Sequence, residues 1–205
     1  MVMRSIFHYV AGYWYCVVLC LGACTASAAA PPTLQDAETI TIMPVAYPEG
    51  QTAADRKETL ANLYGTLDEY VYKALLRKLA LKGYVLDRPR GWTQPANWNS
   101  ESLMSRTDLE LSRLVPSSAT YAAFLFVEQV KSESNPLSSS ADGVASAVII
   151  HRESGQAVWR NSGHGKFGEN HFLQGLFVSL LTPDKHAAME NAFGEIFSKL
   201  PEKQF

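Results

Sequence analysis

Beyond about residue 38 the chain switches between two hydrophobic periods. Residues 39–45 (TITIMPV) alternate and are β-branched, which predicts a first strand. Tyr47-Pro48-Glu49-Gly50 carries turn chemistry. Thr52 with Asp55 three residues on resembles a capping box. After it, Leu60, Leu63, Tyr64, Leu67, Val71, Ala74, Leu75 and Leu79 keep the three-and-four spacing of one helix face, and Gly83 is placed to end that helix. Residues 84–87 predict a short second strand. The segment 88–99 (RPRGWTQPANWN) reads as a long polar loop carrying Trp92 and Trp98, and short helices are expected over 101–105 and 108–114. Residues 121–130 (YAAFLFVEQV) begin as a continuous apolar run, the signature of a strand covered on both faces. Residues 132–142 (SESNPLSSSAD) read as a polar loop. Residues 143–151 and 156–161 follow as a hairpin turned at Arg152-Glu153-Ser154-Gly155. An apolar helix is expected over 170–181 (NHFLQGLFVSLL). A last one opens at Thr182-Pro183-Asp184 and presents Ala187, Ala188, Met189, Ala192, Phe193, Ile196, Phe197 and Leu200 on one face.

Strands and helices alternate first and a hairpin meander follows. That order predicts the α/β class: one domain, with a mixed β-sheet of about five strands, a long helix after the first strand and two C-terminal helices.

The first 38 residues carry a different pattern. Arg4 is the only Lys or Arg before Arg56, and residues 10–23 (VAGYWYCVVLCLGA) are apolar and end in small residues, which describes a secretory signal. The run is short for a membrane span of about 20 apolar residues. Leu21-Gly22-Ala23-Cys24 resembles a bacterial lipobox, whose cysteine takes a diacylglyceryl group on its sulfur and becomes the mature N-terminus. The expected organisation is a signal over 1–23, a flexible tether over 24–38 and a periplasmic α/β domain over 39–205. Cleavage after Ala26-Ser27-Ala28 and an uncleaved anchor are the alternatives. Thr25, where an Asp would otherwise stand, resembles the outer-membrane default.

Composition narrows the function classes. The chain has 205 residues, 47% of them apolar and 19% charged, which is globular rather than disordered. Its 18 basic and 20 acidic side chains give a net charge of −2, so no broad nucleic-acid surface is expected. The three cysteines, Cys16, Cys20 and Cys24, all fall in the first 24 residues; the first two leave with the signal and Cys24 takes the lipid, so neither a disulfide nor a free thiol is expected in the mature domain.

Two stretches, ITIMPVAYPEG with the helix end KGYVLD, and AAFLFVEQV with VASAVIIHRESGQAVWRNSGHGKFG, resemble the small α/β core shared by the curli-secretion lipoprotein CsgG, the N-terminal domain of TolB and related bacterial surface lipoproteins. The resemblance spans roughly residues 39–200 and is architectural. It implies an envelope lipoprotein acting through protein partners, and it allows a homo-oligomeric secretion or channel-like assembly. The chain departs from it in the Trp-bearing loop at 88–99, and it lacks a pair of amphipathic hairpins suited to a pore.

Candidate chemistry is sparse. Gly163-His164-Gly165-Lys166-Phe167-Gly168 fits G-x-G-x-x-G, but no strand follows to complete a dinucleotide-binding unit, so a glycine-rich strand end is the better account. His151, His164, His171 and His186 show no metal-ligand spacing. Ser162-Gly163-His164 lacks a G-x-S-x-G elbow. No catalytic residue, metal or cofactor is therefore expected. A cell-wall-acting enzyme is the least favoured reading. Two apolar features suggest an interaction surface. Trp92 and Trp98 either anchor a protein or glycan partner or fold back over the sheet, the second reading being preferred. Phe172, Leu173, Leu176 and Phe177 lie on a helix too broadly apolar for one buried stripe, so it meets a membrane or partner, or packs between the sheet and the last helix.

Overall fold

The structure, a computed structural model, describes residues 31–49, 67–135, 138–170 and 184–203. The chain forms one α/β domain. Its elements are β1 (Thr39–Ile42), α1 (Leu67–Leu81), β2 (Val85–Asp87), α2 (Ser100–Met104), α3 (Asp108–Ser112), β3 (Tyr121–Asn135), β4 (Ser138–His151), β5 (Gln156–Asn170) and α4 (Asp184–Ser198). They build a mixed five-stranded sheet in the order β2-β1-β3-β4-β5. β1 is parallel to β2 and β3, and β3, β4 and β5 form an antiparallel meander. The segments expected to hold the first half of the long helix and the 170–181 helix lie outside the described residues.

The sheet is covered on both faces. Val71, Leu75 and Leu79 of α1 and Met189, Phe193, Ile196 and Phe197 of α4 bury against Ile40, Ile42, Ala123, Leu125, Val127, Ala145, Ala147 and Ile149. On the opposite face Trp98, Leu103, Leu111 and Val115 cover Met43, Ala122, Phe124, Phe126, Val148 and Ile150. Every residue from Tyr121 to Val127 is buried, as its unbroken apolar run predicts. The eight residues assigned to the apolar face of α4 are likewise all buried. Helix α1 ends as expected. Gly83 adopts φ +85°, and the Tyr84 N–H to Leu79 C=O and Gly83 N–H to Ala80 C=O bonds close the turn in a Schellman motif. Lys82 then reaches across and donates to the carbonyls of Ser198 (3.1 Å) and Leu200 (2.6 Å), a cation on the negative end of α4.

Two expectations fail in the meander. The polar stretch 132–142 is not a loop: β3 and β4 stay paired through Asn135↔Ser138. β5 does not stop near Asn161 but runs to Asn170, and it contains the whole G-x-G-x-x-G segment, in keeping with a glycine-rich strand end. Its glycines make no phosphate turn; they seat a helix. A Cβ on Gly163 would stand 2.7 Å from the Ala192 carbonyl oxygen, and one on Gly165 would overlap the backbone of Ala188 and Ala192. Helix α4 therefore lies closer to β5 than any side chain there would allow.

The packed domain also begins before Thr39. Leu34–Asp36 forms a 3₁₀ turn boxed by Thr33 and Asp36, with Leu34 and Ala37 buried. Tyr121 Oη donates to the Thr33 carbonyl (3.3 Å), and Lys203 Nζ to that of Ala37 (3.0 Å).

Helix α4 also occupies the free edge of β5. Glu195 accepts from the His164 N–H (2.9 Å) and Asn191 donates to the Lys166 carbonyl (3.0 Å). The His164 amide bond, followed by the Lys199 ammonium, holds the Glu195 carboxyl below its ordinary 4.5. A lowered folded pKa stabilises above the unfolded value, and that gain is lost as the pH falls through the folded one. Glu195→Gln is thus expected to lower the urea midpoint at neutral pH, with the gap from wild type closing in acid. A gap that stays constant into acid would show that the charge is not responsible.

Candidate functional site

The site starts from one residue. Pro44 has no N–H and stands just past β1, beyond the last pair with β2 (Thr41↔Asp87), so no ladder to β2 can continue from it. The Met43 N–H donates to the Ala123 carbonyl (3.0 Å), and the next bond on this side runs from the Ala46 N–H to Leu125 (2.9 Å). Val127 N–H then returns to the Ala46 carbonyl (2.8 Å). Ile42 pairs with Ala123 and Ala46 with Phe126, so four steps along the chain match three on β3. The extra residue is a bulge at Pro44-Val45.

The bulge opens a cleft of about 350 Å³ at the C-terminal ends of the parallel strands. This is where open α/β sheets take ligands. Ile42, Met43, Pro44, Val45 and Leu125 form its apolar floor, Tyr72 of α1 forms one wall, and Arg88, Pro89, Trp92 and Gln94, just past β2, form the other. The Arg88 guanidinium lies 4.1 Å above the centre of the Tyr72 ring.

The two tryptophans of the 88–99 segment play unequal parts. Trp98 is 3% exposed, its indole N–H donates to the Pro44 carbonyl (3.0 Å), and its ring leans on Phe124 (5.9 Å between centroids). It is therefore unavailable as a surface anchor; it closes the core and ties down the bulge. Trp92 is half-buried, packs edge-on against Trp98 (4.9 Å), donates its N–H to the Leu114 carbonyl (2.9 Å) and keeps part of its surface on the cleft.

Comparison with known proteins places this architecture among others. No protein-family model matches the chain. No curated protein matches it either. Solved structures do. The lipoprotein GNA1162 from Neisseria meningitidis is similar at 15% identity and a TM-score of 0.43, over 73% of this chain and 93% of that one. The hypothetical protein CT253 from Chlamydia trachomatis is similar at 12% identity and a TM-score of 0.46, over 80% and 93%. The PelC dodecamer from Paraburkholderia phytofirmans gives 12% identity and a TM-score of 0.39, over 82% and 89%. Similarity at this level carries no activity or assembly over to this chain.

The other candidates that are described do not line the cleft. Cys24, Phe172, Leu173, Leu176, Phe177 and His171 lie outside the described residues. His151 accepts a hydrogen bond from its own turn, from the Ser154 N–H (3.3 Å), and packs on Tyr121. Ser162 and His164, two apart on β5, share a face, and the His164 ring meets Asp142. That face is open to solvent, and among the described residues no hydrogen bond joins Ser162 to the ring. No group of three potential metal ligands converges among the described residues.

Sequence reasoning missed Arg88, Tyr72 and Gln94, and it noted Pro44 only as part of a strand. A proline at the end of a β-branched run was the available signal.

Proposed function

We propose that this chain is a lipid-anchored accessory protein of the cell envelope, held on the periplasmic side of the outer membrane, that acts by binding rather than catalysis. One observation carries the reading: Leu21-Gly22-Ala23-Cys24 stands just ahead of a domain whose packing begins at Leu34. The stretch from Cys24 to Thr33 spans at most roughly 30 Å when extended. A lipid on Cys24 would hold the domain near the bilayer and concentrate it against envelope partners without new contacts. The likeness to the CsgG and TolB N-terminal core belongs to the same proposal and supports a protein partner in envelope assembly, secretion or transport. The cleft beside the Pro44 bulge is the part of the domain best suited to binding.

Anchoring has a direct test. Cys24→Ala should abolish labelling with radioactive palmitate and move the protein from the membrane pellet to the soluble fraction. Full membrane association of the unlabelled variant would refute the anchor.

A further inference from the structure

Resting on the reading of the cleft as a binding site, the geometry points to its ligand: we propose that it takes a small amphipathic anion, an apolar acyl or aromatic body bearing one carboxylate or phosphate, with Arg88 receiving the charge. The floor is aliphatic, Met43 adds an adaptable thioether, and Tyr72 and Trp92 supply flat walls. A volume of about 350 Å³ lies at the small end of ligand sites, fitting one medium chain or a fused ring pair rather than a peptide segment.

The charge preference follows from the state of Arg88. The guanidinium lies over the Tyr72 ring, and among the described residues none of its N–H donors has a hydrogen-bond partner, so the fork that suits a carboxylate or phosphate is unused. The carboxylate next to it in the chain, Asp87, is engaged elsewhere: Oδ1 accepts from the Arg88 backbone N–H (2.8 Å) and lies 3.6 Å from the Arg90 guanidinium. Among the described residues no carboxylate pairs with the Arg88 side chain. The fixed cation thus stands at the rim of an apolar cleft with its donors available. On its other side Arg88 borders a more polar hollow that it shares with Arg90, where Asp36, Glu38 and Asp87 outnumber the two cations and disfavour an anion. The charged group therefore approaches from the cleft side, which places the apolar body over Pro44 and Leu125.

The test is calorimetric titration of the full chain with decanoate and 2-naphthoate as anionic probes, decanol as the neutral one and decylamine as the cationic one. Trp emission is followed in the wild type and in Trp92→Phe. The anions are expected to bind at least about tenfold more tightly than decanol, with decylamine weakest. Arg88→Ala should remove that preference, bringing the affinity for the anions down to that for decanol in the same variant. Arg88 is exposed, so this variant keeps its fold, which its unfolding midpoint checks. Arg88→Lys should recover only part of the preference, since it keeps the charge but not the stacked fork. The emission change on binding should disappear in Trp92→Phe. Decanol and decanoate binding equally, or decanoate binding unaltered by Arg88→Ala, would overturn the anion assignment and leave the cleft a binding site. Absence of binding by all four probes to folded protein would overturn both. Tighter binding of decanoate than naphthoate identifies an acyl body, and the reverse order an aromatic one; either supports the class.

Discussion

Gly165→Ala is expected to destabilise the domain by about 1–3 kcal/mol or more, whereas Gly168→Ala, three residues along the same strand, should leave stability nearly unchanged. The contrast comes from what the added methyl group meets. At Gly165 it would run into the Ala188 carbonyl and the Ala192 amide of α4, which are backbone atoms and cannot rotate aside. At Gly168 nothing lies within 4 Å. Accepting the methyl requires α4 to lift from the sheet, and that helix buries Met189, Phe193, Ile196 and Phe197 against the main core. Against a total stability of about 5–15 kcal/mol, a loss of this size is readily measured. Urea unfolding with an unchanged slope and a lower midpoint is the expected record. Equal midpoints for the two variants would refute the helix-seat account of the glycines.

Trp98→Ala is expected to have a larger effect, about 3–5 kcal/mol, because it removes a buried indole from the second core. The informative companion is Trp98→Phe. It keeps an aromatic ring against Phe124 but removes the donor to the Pro44 carbonyl, for a loss of about 0.5–1.5 kcal/mol. That smaller loss should be concentrated at the bulge. Hydrogen exchange of the Ala46 amide, bonded to Leu125, should accelerate more than that of amides in β3–β4. Uniform acceleration across the sheet would mean that the indole acts only through bulk packing.

Much of the fold was legible because burial writes itself in side-chain period. β3 reads as doubly covered from Tyr121 to Val127, and α4 names its own buried face. The meander between Ser132 and Asp142 was not legible. Its pairing rests on the backbone ladder, which no side-chain pattern reports, and serine, asparagine and proline there mimic a loop. The glycines at 163 and 165 carried a usable signal: two apart, they share one face of a strand, which suits a helix seat better than a phosphate turn. The site was less legible still. Pro44, Tyr72 and Arg88 are distant in sequence, none belongs to a motif, and the parallel pairing of β1 with β2 and β3 is what gathers them. The two tryptophans looked alike in the chain. Only the location of the Pro44 carbonyl assigns one to the interior and leaves part of the other on the cleft.

The hydrogen bonds from α4 to the outer side of β5 bear on crowding. Proteins fixed to a two-dimensional surface meet one another often, and an unpaired strand invites a neighbour to extend the sheet. Here Glu195 and Asn191 already hold the His164 amide and the Lys166 carbonyl that an intruding strand would need. The far side of the sheet ends in β2, which offers only three residues. On the anchored arrangement proposed above, copies packed densely on a membrane would meet an obstacle to strand addition at this part of the edge.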